Sequence, residues 1–228
     1  MGQQGRRMAA LLVIAAASLW GSMGLFVRYM NRIGLDSLEI GAVRNLGAAL
    51  IMLVYALAWR RDSLKVRISD LPYLAGSGLF SIVLFNYCYF KAISLMNLST
   101  AAILLYTSPI FVMLLSAPLF HERITYLKMI SLLIAFTGCM LVSGIAGGGT
   151  RVTGAGLLFG LGSGFGYALY SIFSRFSINR GLKSLTITLY TFFFAAVGNT
   201  LLADFGVIFQ VIQEQGDRFF FSFSFTPA

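Results

Sequence analysis

Charge is what this sequence has least of. Asp, Glu, Lys and Arg make up 11% of it, where a soluble domain carries about 25%. It also holds one histidine, two cysteines and four prolines in 228 residues. One His and two Cys inside apolar runs cannot supply the ligands of an ordinary metal site. No metal and no cofactor is therefore expected, and Cys88 and Cys139 read as small packing residues rather than a disulfide. The glycines at 162, 164 and 166 follow no strand and precede no phosphate-reaching Lys, so they are not a nucleotide loop. There is no nucleophile elbow and no acidic pair within an apolar segment. No catalytic residue is assigned, and a membrane-embedded enzyme ranks last among the function classes.

Apolar residues fill the space that charge leaves. The chain is 58% hydrophobic and 14% aromatic, more than a core of this size can hide, so lipid is the expected solvent. A span needs roughly 20 apolar residues. Seven such segments stand at about 8–28, 40–59, 72–94, 98–118, 124–146, 154–174 and 185–203. The fold class is an all-α polytopic membrane protein with short loops and no soluble domain. The opening RRMAALLVIAAASLWGS has the look of a signal peptide. Trp20, Gly21 and a further apolar turn continue beyond any cleavage point, so it reads as a first helix that stays.

The net charge of +9 does not indicate nucleic acid, because the basic residues follow the membrane. With the N-terminus inside, Arg6, Arg7, Arg60, Arg61, Lys65, Arg67, Arg123, Lys128, Arg175, Arg180 and Lys183 fall at inner ends. Arg28, Arg32, Arg44, Lys91, Arg151 and Arg218 fall outside or within the membrane. Cytoplasmic loops carry the excess of Lys and Arg, so the expectation is a cytoplasmic (plasma) membrane protein, N-terminus inside, with Arg28 and Arg32 opposing it.

Residues 26–49 recur at 173–196 with a constant shift of 147. Phe26, Arg28, Gly34, Leu35, Ser37, Leu38, Ile40, Ala48 and Ala49 match Phe173, Arg175, Gly181, Leu182, Ser184, Leu185, Ile187, Ala195 and Ala196. Five spans precede the Gly-rich link at 144–150, so the second unit starts from the opposite side of the membrane. Inverted repeats of this kind place a substrate site near the midplane between the halves. The expected organisation is a first five-helix repeat at 1–147, the first two helices of a second at 148–217, and an atypical tail at 218–228. The equivalent of residues 82–146 does not follow within this sequence, so a chain truncated by three helices is expected.

Ionisable groups within a membrane are costly and are functional candidates by default. Arg44 lies one turn into the second span and suits an anionic substrate group, with snorkelling to headgroups as the plain alternative. Lys91 lies near the outer end of the third span beside Asn86, Tyr87 and Tyr89. Asn86 needs a hydrogen-bonding partner wherever it is buried. Tyr106, Thr107, Ser108 and Pro109 interrupt the fourth span, where Pro109 removes a backbone donor and the freed backbone lines a cavity or is satisfied locally. Glu122 either stabilises the start of the fifth span or forms a gating salt bridge. Trp20, with Tyr167 as its counterpart, offers a ring to a pocket. Gly156, Gly160 and Gly164 share one helix face and allow close packing or sliding.

LWGS at 19–22, VRNLGAAL at 43–50, YFKAISLMNLSTAAILLYTSPIF at 89–111 and HERIT at 121–125 together resemble the EamA-type proteins of the drug/metabolite transporter superfamily. Trp20, Gly21, Arg44, Pro109 and Glu122 fall on that family's positions. The resemblance covers about residues 8–205. It implies ten helices in two inverted five-helix repeats around a central cavity that moves small metabolites, such as amino acids, without ATP.

The expected function is a permease working by alternating access. Trp20, Arg44, Asn86, Lys91, Tyr106 and Ser108 would bind the substrate, and Pro109, Glu122, Gly156, Gly160 and Gly164 would shape or gate the path. The expected partners are the lipid bilayer and a small metabolite, with no nucleic acid; a homodimer or a partner chain stays open. The rival readings are a non-transporting fragment that needs a partner chain, and a seven-helix receptor, whose C-terminus would here lie outside.

Overall fold

A computed structural model describes residues 3–142 and 153–224. They form ten α-helices: α1 (Gln3–Arg32), α2 (Ser37–Trp59), α3 (Leu71–Ala75), α4 (Val83–Leu95), α5 (Leu98–Leu105), α6 (Ser108–Phe120), α7 (Tyr126–Val142), α8 (Gly154–Asn179), α9 (Ser184–Leu202) and α10 (Phe205–Ser224). No strand occurs among the described residues.

Among the described residues, six helical rods are long and apolar enough to cross a membrane: Met8–Arg32, Ser37–Trp59, Ile68–Leu95, Leu98–Phe120, Gly154–Asn179 and Ser184–Leu202. Within lipid every backbone group must find its partner inside the chain, which helices achieve. The protein is thus a polytopic all-α membrane protein. The span expected at 124–146 appears as α7, described over 17 residues to Val142; its expected end and the Gly-rich link at 144–150 lie outside the described residues.

The turns between α1 and α2 and between α8 and α9 are built alike. Gly34 (φ 102°) and Gly181 (φ 84°) are the two glycines with positive φ among the described residues. Gly34 N–H donates to Asn31 (3.2 Å) and Leu35 N–H to Met30 (3.1 Å). Shifted by 147, Gly181 donates to Ile178 (2.9 Å) and Leu182 to Ser177 (3.1 Å). This is the Schellman arrangement, whose left-handed residue favours glycine. The next helices then begin at Ser37 and Ser184, again 147 apart.

The third span is one rod with a π-helical stretch, Gly76–Ile82, between α3 and α4. Its hydroxyls reach across to α9 and α8. Ser77 Oγ lies 2.5 Å from Thr191 Oγ1, and Ser81 donates to the Gly166 carbonyl at 2.8 Å. π-turns inside helices recur at functional sites. Here the π-helical stretch packs against both α8 and α9.

Glycines set the spacing along α8. A Cβ on Gly164 would lie 2.6 Å from Thr107 Oγ1 and 3.0 Å from the Leu104 carbonyl, and one on Gly166 would lie 2.8 Å from the Phe85 nitrogen. Gly160 faces Leu104 and Gly156 faces Met96. Small residues let helix backbones approach closely, and here they bring α8 against α4 and the α5–α6 junction. The core follows this seam, with Phe85, Tyr89, Phe90, Ile93, Leu104 and Leu105 buried. By contrast α1 touches only α2 and α4 appreciably and leaves most of its apolar surface outward.

One element was not expected. The helix α10 continues from Phe205 to Ser224, through residues read as the end of the second unit and an atypical tail; residues 225–228 lie outside the described ones. Val207, Ile208 and Val211 turn toward the core. With Gln210, Gln213 and Glu214 interspersed, the helix is amphipathic and too polar to read as a span.

Candidate functional site

Arg44 lies on the second turn of α2 and turns inward rather than along the helix toward an end. Its Nη1 donates to Asn86 Oδ1 at 2.6 Å, and Asn86 Nδ2 donates to Asn45 Oδ1 at 3.3 Å. The guanidinium carbon lies 6.0 Å from the Trp20 ring centre and 5.9 Å from that of Phe90, within cation–π range. Among the described residues no carboxylate lies within salt-bridge distance of it. A charge in mid-helix costs about 2.5–3.5 kcal/mol on insertion scales, and such groups normally have a charged partner. Arg44 has one amide and two rings.

The rings continue from there. Trp20 stacks on Phe85 (6.3 Å), Phe85 on Tyr89 (5.5 Å), and Tyr167 meets Phe85 edge-on (5.8 Å). The two aromatic residues at matching positions of α1 and α8 therefore meet on a single side chain of α4. Beyond Tyr167 a groove of about 710 Å³ runs between α6, α7 and α8, with Ser108, Pro109, Ser116, Ser171, Glu122 and Arg175 along it.

The α5–α6 junction forms one wall. Pro109 stands in the first turn of α6, where its missing N–H leaves no bond unmade, so it starts a second helix instead of kinking a continuous one. The Leu104 carbonyl is taken up by Thr107, through its N–H at 3.2 Å and its hydroxyl at 2.6 Å. Tyr106 at this break is half exposed. Ser108 is buried against α8.

The remaining sequence candidates stand at the two ends of the bundle. Lys91 Nζ is 3.5 Å from Asp36 Oδ2 at the α1–α2 turn. At the opposite end Glu122 bridges Arg175 of α8 (2.5 Å) and Lys128 of α7 (3.4 Å), and Arg175 lies over the Phe120 ring at 4.1 Å. The Arg175 hydrogen bond is the main reason the Glu122 carboxyl stays below its ordinary range. Glu122 thus ties the loop before α7 to Lys128 of α7 and to Arg175 of α8.

Sequence reasoning missed three features. Asp70 accepts from Arg180 Nε at 2.5 Å, and that hydrogen bond holds the guanidinium above its ordinary range; Tyr73 lies beneath it at 5.2 Å. With Glu122–Arg175, two ion pairs join the last turn of α8 and the residue after it to the α6–α7 loop and to Asp70, just before α3. Asn45 and Asn199 are fully buried, with Asn45 Nδ2 and Asn199 Oδ1 unpartnered among the described residues. Asn199 packs against Gly41, and a Cβ there would clash with it. Phe85, the shared partner of both rings, looked like any apolar residue. The lone amides in apolar helices could have been found by the signal that singled out Asn86.

Comparison with known proteins places this geometry in context. The EamA-like transporter family matches residues 7–144. An uncharacterized transporter of Archaeoglobus fulgidus is 26% identical over 137 residues, covering 58% of this chain and 46% of that protein. The uncharacterized transporter YxxF of Bacillus subtilis is 24% identical over 201 residues, covering 86% of this chain and 61% of that protein. The chain thus spans roughly half to three fifths of these relatives' length. A crystal structure of another protein superposes with a TM-score of 0.60 at 19% identity, covering 86% of this chain and 66% of that one, a likeness of fold alone.

Proposed function

Since this chain belongs to the EamA-like transporter family, we propose that it serves as a permease that moves a small metabolite by alternating access without ATP hydrolysis. The observation that carries the reading is Arg44: an intramembrane cation with no acidic partner among the described residues, fixed by Asn86 and flanked by Trp20 and Phe90. Intramembrane ionisable residues that face the interior mark substrate paths.

In this reading Trp20, Arg44 and Asn86 form one contact set, and Tyr106 and Ser108 another across the Phe85–Tyr167 rings. Lys91 stands at the entrance beside Asp36. Pro109 shapes the wall, and Gly156, Gly160 and Gly164 form the seam along which α8 moves against the first unit. Residues 1–147 act as one five-helix unit, and 148–217 open a second of inverted topology, supported by the identical turns 147 residues apart. The matching α8 ion pairs to Asp70 and Glu122 close one end. We place the protein in the cytoplasmic membrane with its N-terminus inside, in accord with the distribution of Lys and Arg.

The test compares solutes released by cells expressing the protein with those released by cells expressing Arg44→Ala or Asn86→Ala variants at matched membrane levels. The expected result is at least one metabolite released faster by the wild type and not by either variant. Identical release profiles for all three would overturn the reading.

A further inference from the structure

The pocket beside Arg44 narrows what the protein can bind. It has a volume of about 240 Å³ between α1, α2 and α4, and Met23, Val27, Met30, Ile40 and Phe90 line it, with Arg44 as its single charged group among the described residues. Pockets for drug-sized ligands run from about 300 Å³ upward, so the occupant is smaller than that.

The pocket provides a cation and no acid. Asp36 is paired with Lys91. The Glu39 carboxylate accepts from the backbone N–H groups of Asp36 (3.1 Å) and Asp204 (3.3 Å), so it is occupied where α2 and α10 begin. An ammonium group entering here would meet a guanidinium, apolar walls and no carboxylate among the described lining residues. A carboxylate would meet the guanidinium fork, of which only one hydrogen bond, to Asn86, is made within the described residues. Guanidinium and carboxylate match in a planar, paired geometry, and such pairs strengthen where water is scarce.

We propose that the Arg44 pocket binds a small organic monoanion: a carboxylate carrying a branched or aromatic apolar body and no ammonium group. Its physiological purpose rests on the permease reading, but binding is measurable without transport.

Trp20 supplies the reporter. The only other tryptophan, Trp59, is exposed and packs on Tyr55, away from this pocket, so Trp59→Phe isolates the Trp20 signal. The purified full chain in detergent is titrated with three compounds of one carbon skeleton: 4-methylpentanoate, leucine and 4-methylpentanamide. A saturable change in Trp20 emission is expected with the carboxylate, at least tenfold weaker with the zwitterion and the neutral amide. Asn86→Asp sets a carboxylate against the guanidinium and is expected to abolish the response. Arg44→Gln, which removes the cation, is expected to do the same, and the cooperative thermal unfolding of each variant verifies its fold.

Leucine binding as tightly as 4-methylpentanoate overturns the proposal. So does an undiminished response in both folded variants, or no saturable response to the carboxylate in the folded protein. Release of a metabolite by expressing cells without carboxylate binding would sink this proposal and leave the permease reading intact. Carboxylate binding without release of any solute would do the reverse.

Discussion

Replacing Gly164 by Ala tests the packing on which the site depends. A Cβ there would stand 2.6 Å from Thr107 Oγ1, 3.0 Å from the Leu104 carbonyl and 3.4 Å from the Ser108 nitrogen. Comfortable heavy-atom contacts lie at about 3.5–4.0 Å. Two of the three neighbours are backbone atoms, so α8 must retreat from the α5–α6 junction by roughly half an ångström or more. Overpacking of this kind costs about 1–3 kcal/mol. The control is Gly47→Ala in α2, where a Cβ meets nothing within 4 Å. Both replacements share the gain of about 0.5–1 kcal/mol from placing Ala in a helix, so their difference isolates the packing. For a chain of this size about 2 kcal/mol corresponds to about 4–8 °C in unfolding midpoint.

Cys88, buried at 6% exposure, reports unfolding by becoming reactive to a thiol-specific fluorophore, in a background where Cys139 is Ser. Gly164→Ala should melt several degrees below Gly47→Ala. Equal midpoints would falsify the close approach of α8 to Thr107, and with it the wall formed by Tyr106 and Ser108.

Two further outcomes are expected. The hydrogen bond from Arg175 holds the Glu122 carboxyl below its ordinary value of 4.5. Its contribution to stability is therefore complete above about pH 4.5 and is lost as pH falls through the lowered value. Unfolding midpoints of wild type and Glu122→Gln should differ by a constant amount above pH 4.5 and converge on acidification; a gap unchanged down to pH 3 would refute the pairing. Gly34→Ala and Gly181→Ala each force a Cβ into the left-handed region, at φ 102° and 84°, at about 1–2 kcal/mol. Comparable losses of thermal stability are expected at both, and a neutral effect at either would show that its turn is not the Schellman turn described.

Much of the architecture could be read along the chain. Apolar runs of the right length become spanning helices because lipid permits little else, and for six of the seven expected spans the limits lie within about five residues of the helices, 72–94 widening to Ile68–Leu95 and 154–174 to Gly154–Asn179. The fourth span was read as interrupted because Pro109 lacks an N–H, though its break is a clean restart of the helix. The π-stretch at Gly76–Ile82 gave no such notice. Its Ser77 and Ser81 hydroxyls bond to α9 and α8, 114 and 85 residues away. The helix α10 escaped because its apolar residues are spaced as one stripe and not as a run.

What the sequence determined by itself was local: where helices run, where glycine must take a left-handed conformation, and which polar groups would be costly in lipid. Each follows from a residue's own chemistry and its solvent. Only the tertiary structure decided the partners: Asn86 for Arg44, Phe85 for both Trp20 and Tyr167, Asp70 for Arg180, Asn199 for Gly41. These residues are 42 to 158 positions apart. Their meeting depends on the rotation and spacing of whole helices, which the glycine seam of α8 and the packed rings set together, and which no single segment encodes.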